Sequence, residues 1–292
     1  MRCHHPMSIK NGNGELVPVP CGRCMPCRVN HAQEWSFRIE QEMEHAHTAH
    51  FITLTYSEED VPRNDLGHTV LVKSDFQKFL KRLRYHADQY YNIQAETLGF
   101  NQTIKVPSIR YYLVGEYGEE TFRAHGHAII FNIPLETLKY LERIWRNGHV
   151  KIGTVTPASI KYVTKYITKI DSRDLEQRDL TKPFQLMSKG LGSVYVNDQT
   201  REYHSRYKSM YTVNKKYKKR IGKFLENKIH DTEQKQKKLD IVKKSNARKA
   251  VIAQLKEEQK LRSEGVDLYH HYEKKMENEN LLFNKNHKRN KL

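Results

Sequence analysis

Residues 1–200 of this 292-residue chain predict an α+β domain with a mainly antiparallel central sheet flanked by helices. Three observations carry that expectation. Short β-rich runs are separated by segments whose apolar residues recur at helical spacing. Two of those runs, IRYYLVGE at 109–116 and HGHAIIF at 125–131, flank a turn-forming stretch that can close a hairpin. Thr156 followed by Pro157 is a strong helix start, an N-cap with proline in the first turn.

In chain order, Arg28 to about His47 reads as an amphipathic helix, with Trp35, Ile39 and Met43 on one face. HFITLTYS at 50–57 reads as a central strand, and Pro62, Asn64 and Gly67 mark a polar loop after it. Ser74 can cap a helix reaching about His86, whose apolar face is Phe76, Phe79, Leu80 and Leu83. After the two strands come a helix from about Leu135 to Arg146, a strand from about His149 to Val155, and the helix TPASIKYVTKYITKI at 156–170. The order resembles a split βαβ plan, and no internal repeat is visible.

The charge is unevenly spread. The chain carries 51 Lys and Arg against 34 Asp and Glu, a net +17. Residues 1–200 hold 25 basic and 22 acidic residues, whereas residues 201–292 hold 26 and 12. The last third is therefore expected to be a basic helical or partly disordered region that meets a polyanion, the rest dividing into residues 1–47 and a core at 48–200. Within it Lys215, Lys216, Lys218, Lys219 and Arg220 interleave with Tyr211 and Tyr217, a composition suited to single-stranded DNA. No run of eighteen apolar residues occurs, and MRCHHPMSIKNG lacks the apolar stretch of a signal peptide, so neither membrane spanning nor secretion is expected. The expected location is a cytoplasm.

Three clusters carry chemistry. His125 and His127 are two apart in a predicted strand and so leave one face, where both imidazoles could hold one ion. Glu116 lies on the neighbouring predicted strand, and two imidazoles with a carboxylate suit Mn²⁺ or Mg²⁺. Satisfied surface or core histidines are the plain alternative. Tyr162 and Tyr166 are one helical turn apart beside a cationic stripe of Lys161, Lys165 and Lys169. A phenol is a poor nucleophile unless cations favour its phenolate or a metal polarises the electrophile; ordinary packing of an amphipathic helix explains the same spacing. Cys21, Cys24 and Cys27 form C-x-x-C-x-x-C, with Cys3 and His4 or His5 available as a fourth ligand. Structural Zn²⁺ suits that set best, an iron–sulfur cluster needs the same thiolates, and free buried thiols would need no metal. FQLMSKGLG at 184–192 reads as a loop, either an ordinary turn or one that approaches a DNA backbone.

In combination these residues resemble the HUH (histidine, hydrophobic, histidine) endonucleases that initiate rolling-circle replication. FITLTYS at 51–57 looks like the first motif, HGH at 125–127 the second, and Tyr162-x-x-x-Tyr166 the two-tyrosine form of the third. CGRCMPCR at 21–28, GEYGEETFRAHGHAIIF at 115–131 and FQLMSKGLG narrow the similarity to replication initiators of microviruses (gokushovirus-like, single-stranded DNA bacteriophages), over roughly residues 1–200. The resemblance implies an HUH fold and a nuclease that nicks and rejoins single-stranded origin DNA through a 5′-phosphotyrosine. It implies metal ligands His125, His127 and Glu116, nucleophiles Tyr162 and Tyr166 assisted by Lys165 and Lys169, and work in the host bacterium beside a helicase or polymerase. Gly126 stands where the family has a bulky residue; because it points away from the metal, a local packing loss with little chemical effect is expected. A zinc-stabilised, non-enzymatic single-stranded nucleic-acid-binding protein is the rival reading.

Overall fold

The computed structural model describes residues 3–10, 14, 16–97, 107–165, 172–207, 211–214, 217–229, 248 and 251–289. They fall into two compact units. One comprises residues 31–200 and 211–225 and holds the sheet; the other comprises residues 1–30, 201–210 and 226–292.

The sheet is built from β3 (Ala49–Tyr56), β4 (Arg110–Tyr117), β5 (Ala124–Phe131), β6 (Gly148–Thr154) and β7 (Phe184–Met187), in the spatial order β6-β3-β5-β4-β7. Every pairing is antiparallel, so the α+β class with an antiparallel sheet is as the sequence predicts. Its two faces read straight off the period-two alternation of the strands. Ile52, Leu54, Tyr56, Leu113, Ala128 and Ile130 point to one face, where α2 (Lys73–Thr97) lays down Phe76, Phe79, Leu80 and Leu83. Tyr112, Val114, Ile129 and Phe131 point to the other, under Trp35 and Ile39 of α1 (Met25–His45) and Ile160 and Val163 of α5 (Pro157–Lys165). Each fully buried large side chain contributes about 1.5–3 kcal/mol of apolar transfer, so both helical layers are held by their inward stripes.

Several elements differ from the sequence expectation. The 135–146 helix is two short ones, α3 (Leu135–Leu138) and α4 (Leu141–Trp145), because Tyr140 leaves helical geometry at φ −108°, ψ 8°. Arg146, left-handed at φ 71°, then ends α4. The helix expected to be capped by Ser74 begins at Lys73 and runs on to Thr97, through a polar stretch with no apolar stripe to announce it. FQLM, read as loop, is the edge strand β7 paired with β4. The glycines after it serve the turn: the Gly192 N–H donates to Glu42 Oε2 at 2.7 Å, and a Cβ at Gly192 would lie 2.6 Å from the Arg38 carbonyl oxygen. Arg38 completes the anchor, its Nε donating to the Leu191 carbonyl at 2.8 Å while its guanidinium lies 3.9 Å from the Trp35 ring centre. Burial lowers this guanidinium's pKa to about 10.

In the other unit β1 (Met7–Lys10) and β2 (Leu16–Val19) form an antiparallel hairpin. Helical residues 251–263 and the helix Leu268–Arg289 follow in its C-terminal part, with Lys275 Nζ 3.1 Å from Glu257 Oε1. Of the proposed basic patch, Lys219 and Arg220 on strand Tyr217–Arg220 face acids, Lys219 at 2.5 Å from Glu40 and Arg220 at 3.8 Å from Glu34. These two cations are committed within the fold. Lys215 and Lys216 lie outside the described residues.

Gly126 overturns the expected packing loss. It pairs with Gly115 across the β4–β5 ladder, and the two leave a trough on the α2 face. Phe76 fills it so closely that a Cβ on Gly126 would lie 2.3 Å from the ring, and Phe184 does the same over Gly115 at 2.6 Å. The two rings meet edge to face, 5.4 Å between centres. The missing side chain is thus replaced by an aromatic ring from α2. Gly126→Ala is therefore expected to destabilise the chain by about 1–3 kcal/mol through overpacking. Much of that loss should return in Gly126→Ala with Phe76→Leu; urea unfolding of the single and double variants measures both, and a Gly126→Ala variant as stable as wild type would contradict it.

Candidate active site

The β4–β5 register places Glu116 directly opposite His125, and the β3–β5 register places Thr53 opposite His127. Because side chains on paired positions share a face, Glu116, His125, His127 and Thr53 converge on the α5 side of the sheet. Glu116 Oε1 lies 3.1 Å from His125 Nε2 and 3.1 Å from His127 Nε2. Tyr162, reaching in from α5, sets its hydroxyl 3.4 Å from His127 Nε2. Phe51 stacks on the His127 ring at 5.5 Å and meets Tyr162 edge-on at 6.2 Å, so the nucleophile candidate and the imidazole share one aromatic support.

The Tyr162 helix is held from behind. Thr156 and Ser159 cap its start reciprocally, the Ser159 N–H donating to Thr156 Oγ1 and the Thr156 N–H to Ser159 Oγ. Ile160 and Val163 face the core, and the Thr164 hydroxyl, 1% exposed, lies 2.9 Å from Ser36 Oγ on α1. With Thr164 inward, Tyr162 emerges half a turn away at 37% exposure, able to reach both the site and an incoming ligand. Lys165 is partly buried on the same helix. Tyr166 and Lys169 lie outside the described residues.

The donor set fits a divalent cation. One carboxylate oxygen and two imidazole nitrogens all lie within 4.8 Å of one another. Separations of 3.1 Å match neighbouring corners of an octahedron with bonds of about 2.1 Å, whose edges are about 3.0 Å. Glu116 is 2% exposed, and its Oε2 is buried without a hydrogen-bond partner, a carboxylate that calls for positive charge. In the metal-free chain a proton supplies part of that charge. His125 Nδ1 donates to the Arg123 carbonyl at 2.9 Å and Nε2 to Glu116. Burial disfavours the imidazolium, but those two hydrogen bonds and the Glu116 charge outweigh it and raise the His125 pKa above its ordinary 6.5. A cation would replace that proton.

A second donor set lies in the other unit. The sulfurs of Cys3, Cys21, Cys24 and Cys27 all lie within 4.8 Å of one another. The Cys21 N–H donates to Cys3 Sγ at 3.3 Å and the Cys24 N–H to Cys21 Sγ at 3.4 Å, so backbone dipoles already favour thiolate there. The Cys24 and Arg23 amides bring Cys21 down to about 6, while burial pushes Cys27 up to about 12. Four converging thiols suit a tetrahedral soft ion.

Comparison with known proteins gives these clusters a context. Residues 49–171 match the model of the replication-associated protein ORF2 family. The chain is also 28% identical over 251 residues to replication-associated protein ORF2 of Spiroplasma virus 4, across 80% of this chain and 74% of that one. This chain is a relative of the replication-associated proteins of microvirus-like phages. Replication-associated protein VP4 of Bdellovibrio phage phiMH2K is 28% identical over 198 residues, 58% of each chain. Replication-associated protein ORF4 of Chlamydia phage 1 is 24% identical over 171 residues, 52% of this chain and 38% of that one. No solved structure matches. The family match spans Glu116, His125, His127 and Tyr162, and the cysteines lie before it. No helix among the described residues is long and apolar enough to cross a membrane.

Sequence reading missed Thr53, the Arg123 carbonyl and Phe51, because their roles depend on which strand lies beside which. Spacing alone reveals only that Phe51, Thr53 and Thr55 share a face. The Glu116–His125 pair yields a direct check. A raised folded value stabilises the metal-free fold at pH below the ordinary 6.5, and that stabilisation is lost as pH rises through the raised value. Glu116→Gln removes the attraction but keeps the burial, so the His125 pKa should fall, as read from imidazole NMR shifts in EDTA; an unchanged value would contradict the pairing.

Proposed function

We propose that this chain is a metal-dependent, tyrosine-using nuclease and strand transferase of the HUH type, which nicks and rejoins single-stranded origin DNA in rolling-circle replication. The observation that carries the proposal is the convergence of Glu116, His125 and His127 on one point, with the Tyr162 hydroxyl 3.4 Å from His127 Nε2. These three side chains would hold Mn²⁺ or Mg²⁺. The ion, when bound, polarises the scissile phosphate and steadies its developing charge.

The chain's own residues do the rest. Tyr162 Oη attacks the phosphorus in line, forming a P–O bond to tyrosine as the bond to the DNA 3′-oxygen breaks. The phenol proton leaves as the bond forms, and the 3′-oxygen takes up a proton to become a hydroxyl. Lys165 lies one turn from Tyr162 and favours the phenolate electrostatically, and Lys169 would do the same for Tyr166. Rejoining is the reverse, a 3′-hydroxyl displacing tyrosine. In this arrangement Tyr162 makes the first cut, and Tyr166, one turn further on, serves the second transfer.

Residues 48–200 would form this catalytic core, with the basic residues 201–292 binding single-stranded DNA or a host helicase or polymerase in the bacterial cytoplasm. The four cysteines would hold a structural Zn²⁺ that ties residue 3 to the start of α1.

The test is incubation of the full chain with labelled single-stranded DNA of the genome that encodes it plus Mn²⁺, denaturing electrophoresis, and peptide mapping of any adduct. The expected adduct maps to Tyr162; Tyr162→Phe with Tyr166→Phe abolishes it while DNA affinity stays nearly intact. Tight binding with no adduct would instead favour a non-enzymatic binding protein. For the thiols, elemental analysis is expected to find one zinc per chain, lost in Cys24→Ser; a metal-free wild-type chain with ordinary stability would contradict the zinc site.

A further inference from the structure

We infer that Thr53 is a positioning residue that fixes the ring orientation and tautomer of His127 for cation binding, an inference that rests on the metal-site reading above. A histidine ligand offers one nitrogen lone pair, and the partner of its other nitrogen decides which one. For His125 that partner is the Arg123 carbonyl, 2.9 Å from Nδ1. A carbonyl only accepts, so Nδ1 carries a proton and Nε2 is the nitrogen that faces Glu116.

His127 has no carbonyl at the corresponding place. Its Nδ1 lies 3.0 Å from Thr53 Oγ1, on the strand that pairs with it from the opposite side to Glu116. A hydroxyl accepts as well as donates, so Thr53 can take the Nδ1–H bond and leave the Nε2 lone pair pointing at Glu116 and Tyr162. The aromatic contacts cannot do this. Phe51 stacked on the ring and Tyr162 edge-on at 5.0 Å fix the ring plane, but packing barely distinguishes ring nitrogen from ring carbon. A half-turn flip would satisfy both contacts while aiming Cδ2 at Thr53 and Cε1 at Glu116. The hydroxyl breaks that degeneracy. It does so from a position that the β3–β5 register sets, where a β-branched residue also suits the strand.

The side chain can be tested without disturbing the fold. Thr53→Val keeps the branched shape and removes the hydroxyl, whereas Thr53→Ser keeps the hydroxyl and removes the branch. Mn²⁺ is titrated into full-length wild-type, Val, Ser and Glu116→Gln chains by calorimetry, and each chain is melted in EDTA. Mn²⁺ prefers nitrogen and oxygen donors to thiols, and Glu116→Gln identifies the heat that belongs to this site. The expected result is that Val binds Mn²⁺ about 10–100-fold more weakly, the range for loss of a partner behind a metal ligand. Ser should bind within about threefold of wild type, and Val and wild type should melt together in EDTA.

Wild-type affinity in Val, alongside a wild-type site abolished by Glu116→Gln, would overturn the role of Thr53 and leave the metal site standing. Equal losses in Val and Ser, or a Val chain that melts well below wild type, would make the effect one of packing and overturn it as well. A wild-type chain whose Mn²⁺ titration is unchanged by Glu116→Gln would bring down the metal site and this inference together.

Discussion

The pairing of Glu116 with His125 across the β4–β5 ladder governs what the rest of the molecule can do. A strand alternates faces with every residue, so a slip of one position would turn the carboxylate or the imidazoles into the opposite core. The register is held on its reverse side by an unusual device. Gly115 and Gly126 stand opposite each other, and the rings of Phe76 and Phe184 occupy the space their side chains would have filled. Any other pairing would bring a Cβ against those rings. Packing on one face of the sheet thus enforces alignment of polar groups on the other, and a glycine in the middle of the histidine motif becomes part of the site's support.

The polar face is assembled from three directions. The sheet supplies Glu116, His125 and His127 on adjacent strands; β3 backs His127 with Thr53 and Phe51; and α5 brings Tyr162 across the top. The helix is fixed by its reciprocal cap and by the Ser36–Thr164 hydroxyl pair, so the tyrosine is carried on an ordered element. The resulting concentration of negative and lone-pair density, with one buried Glu116 oxygen left without a hydrogen-bond partner, favours a cation at its centre.

Much of this was legible in the sequence, for identifiable reasons. The strands at 109–116 and 125–131 are apolar enough to be buried, and the turn between them fixes their pairing, so Glu116 beside His125 follows from local pattern alone. The helix from Pro157 announces itself by its cap. What the sequence left unread depends on contacts between distant segments. FQLM at 184–187 looks like loop because it is four residues long and followed by glycines, and only its place beside β4 makes it a strand. Gly126 looks like a defect because the ring that compensates for it arrives from residue 76. Thr53 looks like one more strand threonine until β3 is laid against β5. Lys219 and Arg220 look like free cations in a basic run, and Glu40 and Glu34 reach them from α1.

The central claim is that Glu116, His125 and His127 together hold one divalent ion facing Tyr162. Anomalous diffraction at the manganese edge from crystals of the full chain grown with Mn²⁺ tests it most directly. The account predicts a single strong peak within bonding distance of a Glu116 carboxylate oxygen and both Nε2 atoms, on the side of the Tyr162 hydroxyl. A peak at the four cysteines alone, or no manganese beside the two histidines at saturating concentration, would contradict it.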